Sequence, residues 1–140
     1  MKKIIPIYAD ELFKDKIIRR NIASINIIGH ASPFGKMGFI NPKVRNHFDD
    51  YSYNLNLSTN RAISITSFVL SNEFGEFKYK VPFRSKLSVV GKSYSDAKLR
   101  APSPNEKVEK QNCGIYDCEK SRRVEISFTL KNNRDALEQI

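Results

Sequence analysis

Two stretches of this 140-residue chain hold residue types that could do chemistry. In Gly29-His30-Ala31-Ser32 an imidazole and a hydroxyl stand two residues apart, the pair that acid–base or nucleophilic catalysis would use. No Gly-x-Ser-x-Gly elbow frames Ser32, and this spacing imposes no triad geometry, so catalysis finds no support there. Gly35, Lys36 and Gly38 do not have the spacing of a phosphate loop. The second stretch is Tyr53-Asn54-Leu55-Asn56-Leu57-Ser58-Thr59-Asn60-Arg61-Ala62. On a helix, Asn54 and Arg61 are i and i+7, sharing a face about 10 Å apart along the axis. An amide and a guanidinium on one stripe suit a ligand with carboxylate and amide groups, because arginine holds a carboxylate through two parallel hydrogen bonds. Taken alone, Arg61 reads as one more exposed helix cation. Neither an enzyme activity nor a cofactor is expected.

Cys113 and Cys118 lie in a polar stretch with Asn112, Gly114 and Asp117. A structural zinc site needs four ligands, and the two histidines, His30 and His47, do not stand at ligand spacing. No metal is expected. A local disulfide closing a small loop, which would place the domain in an oxidising compartment, is weighed against two free thiols.

The elements that must position these residues follow from the apolar pattern. Residues 9–20 read as an amphipathic helix through Leu12, Phe13, Ile17 and Ile18, and residues 22–28 as a strand that Gly29 ends. Residues 33–50, with Pro33, Gly35, Gly38 and Pro42, read as a long irregular loop. A helix is expected from Tyr51 through Glu73, a turn from Gly75 to Lys86, and a strand from Leu87 to Lys92. Residues 101–121 read as a polar loop. Val124, Ile126, Phe128 and Leu130 alternate with Arg123, Glu125, Ser127 and Thr129, which predicts a strand with one face on a core. Strands separated by helices give an α/β (α+β) two-layer sandwich in a single domain, two helices covering one face of a mixed sheet.

The chain carries 24 Lys and Arg against 15 Asp and Glu, a net charge of +9. All of the excess lies in residues 1–100, and residues 101–140 are balanced. A basic body suits an anionic partner such as a nucleic acid, an anionic membrane surface or the anionic groups of a bacterial envelope. No Lys/Arg-dense block of the nucleic-acid-binding kind is present. The apolar stretches are too short to span a bilayer. Met1-Lys2-Lys3 ahead of Ile4-Ile5-Pro6-Ile7-Tyr8 has the look of a signal peptide, but Asp10 and Glu11 stop the apolar run, and the segment reads as folded sequence.

Gly29-His30-Ala31-Ser32, then Tyr53-Asn54-x-x-Leu57-Ser58-x-x-Arg61-Ala62, then Gly91, then Arg122-Arg123-Val124-Glu125-Ile126 occur in an order that resembles the OmpA-like peptidoglycan-binding domain, the family of OmpA, Pal and MotB. The similarity spans roughly residues 9–130. It implies helices on one face of a mixed, roughly four-stranded sheet, and non-covalent binding of the peptidoglycan stem peptide at diaminopimelate. By the same resemblance Arg61 grips a diaminopimelate carboxylate, Asn54 hydrogen-bonds in the same groove, and an arginine heading the last strand contributes. Strand parity favours Arg122, on the face of Val124 and Ile126, and sends Arg123 to solvent. The cysteine-bearing loop ahead of Arg122 also resembles one in some OmpA proteins.

Two departures stand out. The family has Gly-His-Thr-Asp where this chain has Gly29-His30-Ala31-Ser32, so the aspartate that balances the ligand's ammonium is a serine. The loop 33–52 is also longer. Ser32 is expected to line the pocket still, with Asp49 or Asp50 supplying the anion. The leading expectation is a cell-wall anchor of the periplasm or outer membrane, part of a larger envelope protein, touching membrane only through an upstream segment and compatible with homodimerisation. The alternative is a degenerate domain that keeps the fold and serves protein–protein interaction. A nucleic-acid partner is not expected.

Overall fold

The computed structural model describes residues 2–35, 38–42, 48–100 and 113–131. Within them run α1 (Ile4–Phe13), α2 (Lys16–Asn21), β1 (Ile22–Gly29), β2 (Phe34–Gly35), β3 (Gly38–Phe39), α3 (Phe48–Leu70), α4 (Lys80–Lys86), β4 (Leu87–Gly91), α5 (Cys118–Ser121) and β5 (Val124–Leu130). The class is mixed α+β, as expected. Among the described residues the main sheet has three strands, in the order β4-β1-β5, and β2 and β3 form a separate pair.

Hydrogen bonds at the strand ends fix the directions. The His30 N–H donates to Arg123 O, and the Lys131 N–H to Asn21 O, so β1 and β5 are antiparallel. The Lys92 N–H donates to Gly29 O and the Ala31 N–H to Ser93 O, so β1 and β4 run the same way. The sheet is therefore mixed.

The chain forms two compact units. The first comprises Met1–Ile27, Ile63–Val89 and Ile126–Ile140. Its core is Ile5, Ala9, Leu12 and Phe13 of α1, Ile22 and Ile25 of β1, Val69 of α3, then Phe74 and Phe83. The expected helix over 9–20 is in fact two. Pro6 sits in the first turn of α1, where a missing N–H is harmless, so the helix begins earlier. Asp15 then caps α2, its carboxylate accepting from Ile17 N and Ile18 N, which restarts the helix.

The expected turn over 75–86 contains a helix instead. Pro82 again falls within the first turn of α4, and edge-to-face contacts through Phe68, Phe74, Phe77 and Phe83 anchor the segment. Lys80 Nζ donates to Ser71 O and Gly75 O, closing the end of α3. The alternation in β5 marks its bounds but only part of its burial: Val124 and Ile126 are half-buried, whereas Phe128 and Leu130 are exposed. β5 is an edge strand among the described residues, which leaves Phe128 44% and Leu130 39% exposed.

The second unit comprises Ile28–Ala62 and Val90–Glu125. The loop expected over 33–50 holds the β2/β3 pair, with Phe34 opposite Phe39, and gives way to α3 at Phe48. Residues 36, 37 and 43–47, including His47, and residues 101–112 of the expected polar loop lie outside the described residues. The structure joins Cys113 and Cys118 in a disulfide, and both are buried with Tyr116 against Ala97. Among the described residues no group of three or more His, Cys, Asp or Glu could hold a metal, and no helix is long and apolar enough to cross a membrane.

Candidate functional site

The candidate residues gather in the second unit, where the ends of β1 and β4 meet the first half of α3. Two glycines allow the approach. A Cβ on Gly29 would collide with the carbonyl oxygen of Ser58, and one on Gly91 with Oγ1 of Thr59. The strand ends therefore lie directly against the Leu57-Ser58-Thr59 backbone of α3, closer than any side chain permits.

Serines lock this junction. Ser58 is fully buried. Its Oγ donates to Leu55 O at 3.0 Å and accepts from the Ser93 N–H at 3.0 Å. Ser93 has a left-handed backbone, φ 52°, a conformation a non-glycine residue holds only when its surroundings over-determine it. Here they do: its Oγ donates to Tyr51 O at 2.8 Å, and its carbonyl accepts from the Ala31 N–H at 2.7 Å. Ser58 is thus a strut of the site.

Arg61, half-buried one turn further along α3, donates from Nη1 to the carbonyl of His30 at 3.0 Å. That bond brings the Leu-Ser-x-x-Arg-Ala segment and Gly29-His30-Ala31-Ser32 together. Ser32 follows in the same loop, 7% exposed, its carbonyl accepting from the Phe34 N–H. Asn54, 2% exposed, has both amide hydrogens engaged, with Asp50 O at 2.9 Å and Phe34 O at 3.3 Å. It braces α3 to β2.

The anion expected from Asp49 or Asp50 is not beside Arg61. α3 is one continuous helix, so these acids lie eleven and twelve residues back, about 16–18 Å along the axis. The Asp50 carboxylate lies next to Gly35 instead.

The strand-parity argument for Arg122 also fails. β5 begins only at Val124, and Arg122 caps the short helix α5, exposed to solvent. Arg123 is the enclosed arginine, its side chain 19% exposed. Nη1 donates to Asp96 O at 3.1 Å and to Ser121 O at 3.3 Å, and Nε to Glu125 Oε1 at 2.5 Å. Sequence reasoning missed Glu125 and Asp96 as well. A signal was present for the first: Arg123 and Glu125 are oppositely charged and only two residues apart, and the structure pairs them.

His30 completes the cluster. It is 1% exposed, and its Nε2 lies 3.4 Å from Glu125 Oε2. The approach is off the line of a hydrogen bond, so both ring nitrogens are buried without a hydrogen-bond partner among the described residues. Burial, and then the Arg123 cation, hold the imidazole below its ordinary pKa against the opposing pull of Glu125 and Asp96. The hydrogen bond from Arg123 pulls Glu125 below the usual carboxylate range, and Lys92 does the same for Asp96. These shifts favour a neutral imidazole beside ionised carboxylates.

No family model matches the chain, and no curated protein matches it in sequence. Among solved structures it is similar to a crystal form of the C-terminal domain of Helicobacter pylori MotB, residues 125–256. The identity is 20% and the TM-score 0.40, over 96% of this chain and 82% of that one.

Proposed function

We propose that this domain binds the stem peptide of peptidoglycan non-covalently, through Arg61, and so ties an envelope protein to the bacterial cell wall. The supporting observation is the state of Arg61. Its guanidinium is oriented by one hydrogen bond to a neutral carbonyl, that of His30, and no carboxylate among the described residues neutralises it. A guanidinium has five N–H donors, so most remain to hold a ligand carboxylate in the two-pronged manner that diaminopimelate invites. Ser32 lines the same loop as a hydroxyl partner. The exposed part of Glu125 is the nearest carboxylate to His30 and takes the place of the missing aspartate in meeting the ligand's ammonium. Arg122 is available only from the rim. The role is one of binding, with no chemical step, and it belongs to the cell envelope.

A second reading rests on Asn54. Both its amide hydrogens serve the fold, as expected of a domain that retains the architecture and has turned to protein–protein interaction. Co-sedimentation with insoluble peptidoglycan sacculi separates the two. On the first reading the wild-type chain pellets and Arg61→Ala stays in the supernatant. Equal pelleting of both means attraction of a basic protein to the wall. Absence of wild-type pelleting selects the second reading.

A further inference from the structure

We infer that the first unit carries an anion-binding site for a phosphate group, formed where α2, α4 and β5 end. A cavity of about 660 Å³ there is lined by Ile17, Arg19, Arg20, Lys86 and Lys131. The sheet topology assembles it. Arg19 and Arg20 are in the last turn of α2, just ahead of β1. Lys86 is the last residue of α4, just ahead of β4. β1 and β4 run the same way, so their starts are neighbours. β5 runs against β1, and its end is fixed beside them by the bond from Lys131 N–H to Asn21 O, 2.6 Å. Three separate parts of the chain thus deliver cations to one place.

Among the described residues, four cations line the cavity and no acid does. None of the four side chains forms an ion pair with another described residue. The ordinary explanation for basic residues at helix ends is the helix dipole. It covers Arg19, Arg20 and Lys86, each on a helix of seven residues or fewer. It does not account for Lys131, which follows a strand, nor for the convergence of all four. Two guanidinium forks with two ammonium groups match the oxygens of a phosphate mono- or diester. Ile17 and Ile18, 45% and 38% exposed, lie on α2, so the phosphate could be a soluble one or the headgroup of an anionic lipid whose chains meet this apolar margin. The site uses none of the peptidoglycan candidates and stands independently of that reading.

The test uses the full chain and the double variant Arg20→Gln/Lys131→Gln. Its control is Lys78→Gln/Lys98→Gln, which removes equal charge at two exposed positions elsewhere. Amide NMR shifts are followed during titration with inorganic phosphate. Co-sedimentation is measured with phosphatidylcholine vesicles, with and without phosphatidylglycerol. The expected result is phosphate-dependent shifts at Arg19, Arg20 and Lys131, weakened at least fivefold in the double variant and unchanged in the control. Vesicle binding that needs phosphatidylglycerol and is lost in the double variant identifies the lipid source. Phosphate shifts without vesicle binding identify a soluble phosphate. Equal loss in the control overturns the proposal in favour of net charge. It is also overturned if neither phosphate nor vesicles perturb these residues, or if they respond to a DNA duplex and to neither of the others.

Discussion

The two glycines that bring β1 and β4 against α3 differ in a way that can be measured. An alanine at 29 would place its methyl carbon far inside contact distance of the Ser58 carbonyl oxygen, 2.7 Å from the carbonyl carbon and 3.3 Å from Cα. Carbon atoms in contact prefer about 3.5–4.0 Å, so strand and helix must part by about 1 Å, and backbone cannot rotate aside. Gly29→Ala should therefore cost about 3 kcal/mol, the upper end for overpacking, which lowers Tm by about 10 °C in a domain of this size. At 91 the atom met is Oγ1 of Thr59, with Thr59 Cβ and N at 3.0 Å. Part of this clash belongs to a removable side chain, so Gly91→Ala should cost about 2 kcal/mol, and Thr59→Ala should recover about 1 kcal/mol of it. Urea unfolding of the three single variants and the two double variants with Thr59→Ala measures both, read as shifts in the midpoint at constant slope. Parting the strand from α3 also breaks the bond between Arg61 and His30 O, so Gly29→Ala should lose sacculus binding even where it stays folded. The reasoning fails if Gly29→Ala unfolds within about 0.5 kcal/mol of wild type, the range of an innocuous surface change. It fails equally if Thr59→Ala rescues position 29 as well as position 91.

The remaining expectations concern charge and covalent links. Because the folded His30 has a depressed pKa, the unfolded chain takes up its proton first. Stability is then full above the ordinary histidine pKa, about 6.5, and falls as pH drops from there through the folded value; His30→Gln should flatten that part of the profile. Glu125 and Asp96 add a separate loss at lower pH, because their folded pKa values lie below the ordinary carboxylate range. Replacing Arg123 by Gln removes the cation that helps to depress His30, so the imidazole should titrate at higher pH by NMR. Cys113→Ser/Cys118→Ser opens a loop closed over a separation of 5 residues. It should lower stability by about 2 kcal/mol on the chain-entropy account, and mild reductant should act on the wild type alone.

What could be read from the chain, and what could not, divides by range. β5 was legible because alternation is a local signal, and its bounds hold. How deeply Phe128 and Leu130 are buried depends on the strand lying at the sheet edge, which no local pattern records. The division of the first helix at Lys14 and Asp15 was present as a capping aspartate but hidden by apolar residues continuing on the same spacing. Pro82 read as a turn because proline breaks a helix interior, whereas here it sits in the first turn. At the site, Arg61 and the loop of His30 and Ser32 are brought together, as the order of motifs suggested. The Ser58 to Ser93 bond spans 35 residues and the junction of His30 with Arg123 and Glu125 spans more than ninety. Such links are properties of the folded chain alone.

Ser32 is where the two functional readings part most sharply. The resemblance calls for a carboxylate at this position to meet an ammonium, and α3 keeps Asp49 and Asp50 far from Arg61. Glu125, beside His30, is the substitute proposed above, but Arg123 already holds one of its oxygens, so a ligand ammonium must share it. Ser32→Asp restores the missing charge in a loop already joined to Arg61 through His30 O. At 7% exposure the new carboxylate is costly to ionise unless a cation meets it. A pocket shaped for an amino-acid zwitterion supplies that cation from its ligand. Sacculus binding should therefore tighten several-fold in Ser32→Asp and disappear in Ser32→Asp/Arg61→Ala. A domain that has abandoned the wall has no such ligand geometry left, and the same aspartate would only lower its stability without a gain in binding. Binding measured beside the unfolding midpoint distinguishes the two, because only a retained pocket couples the added charge to Arg61.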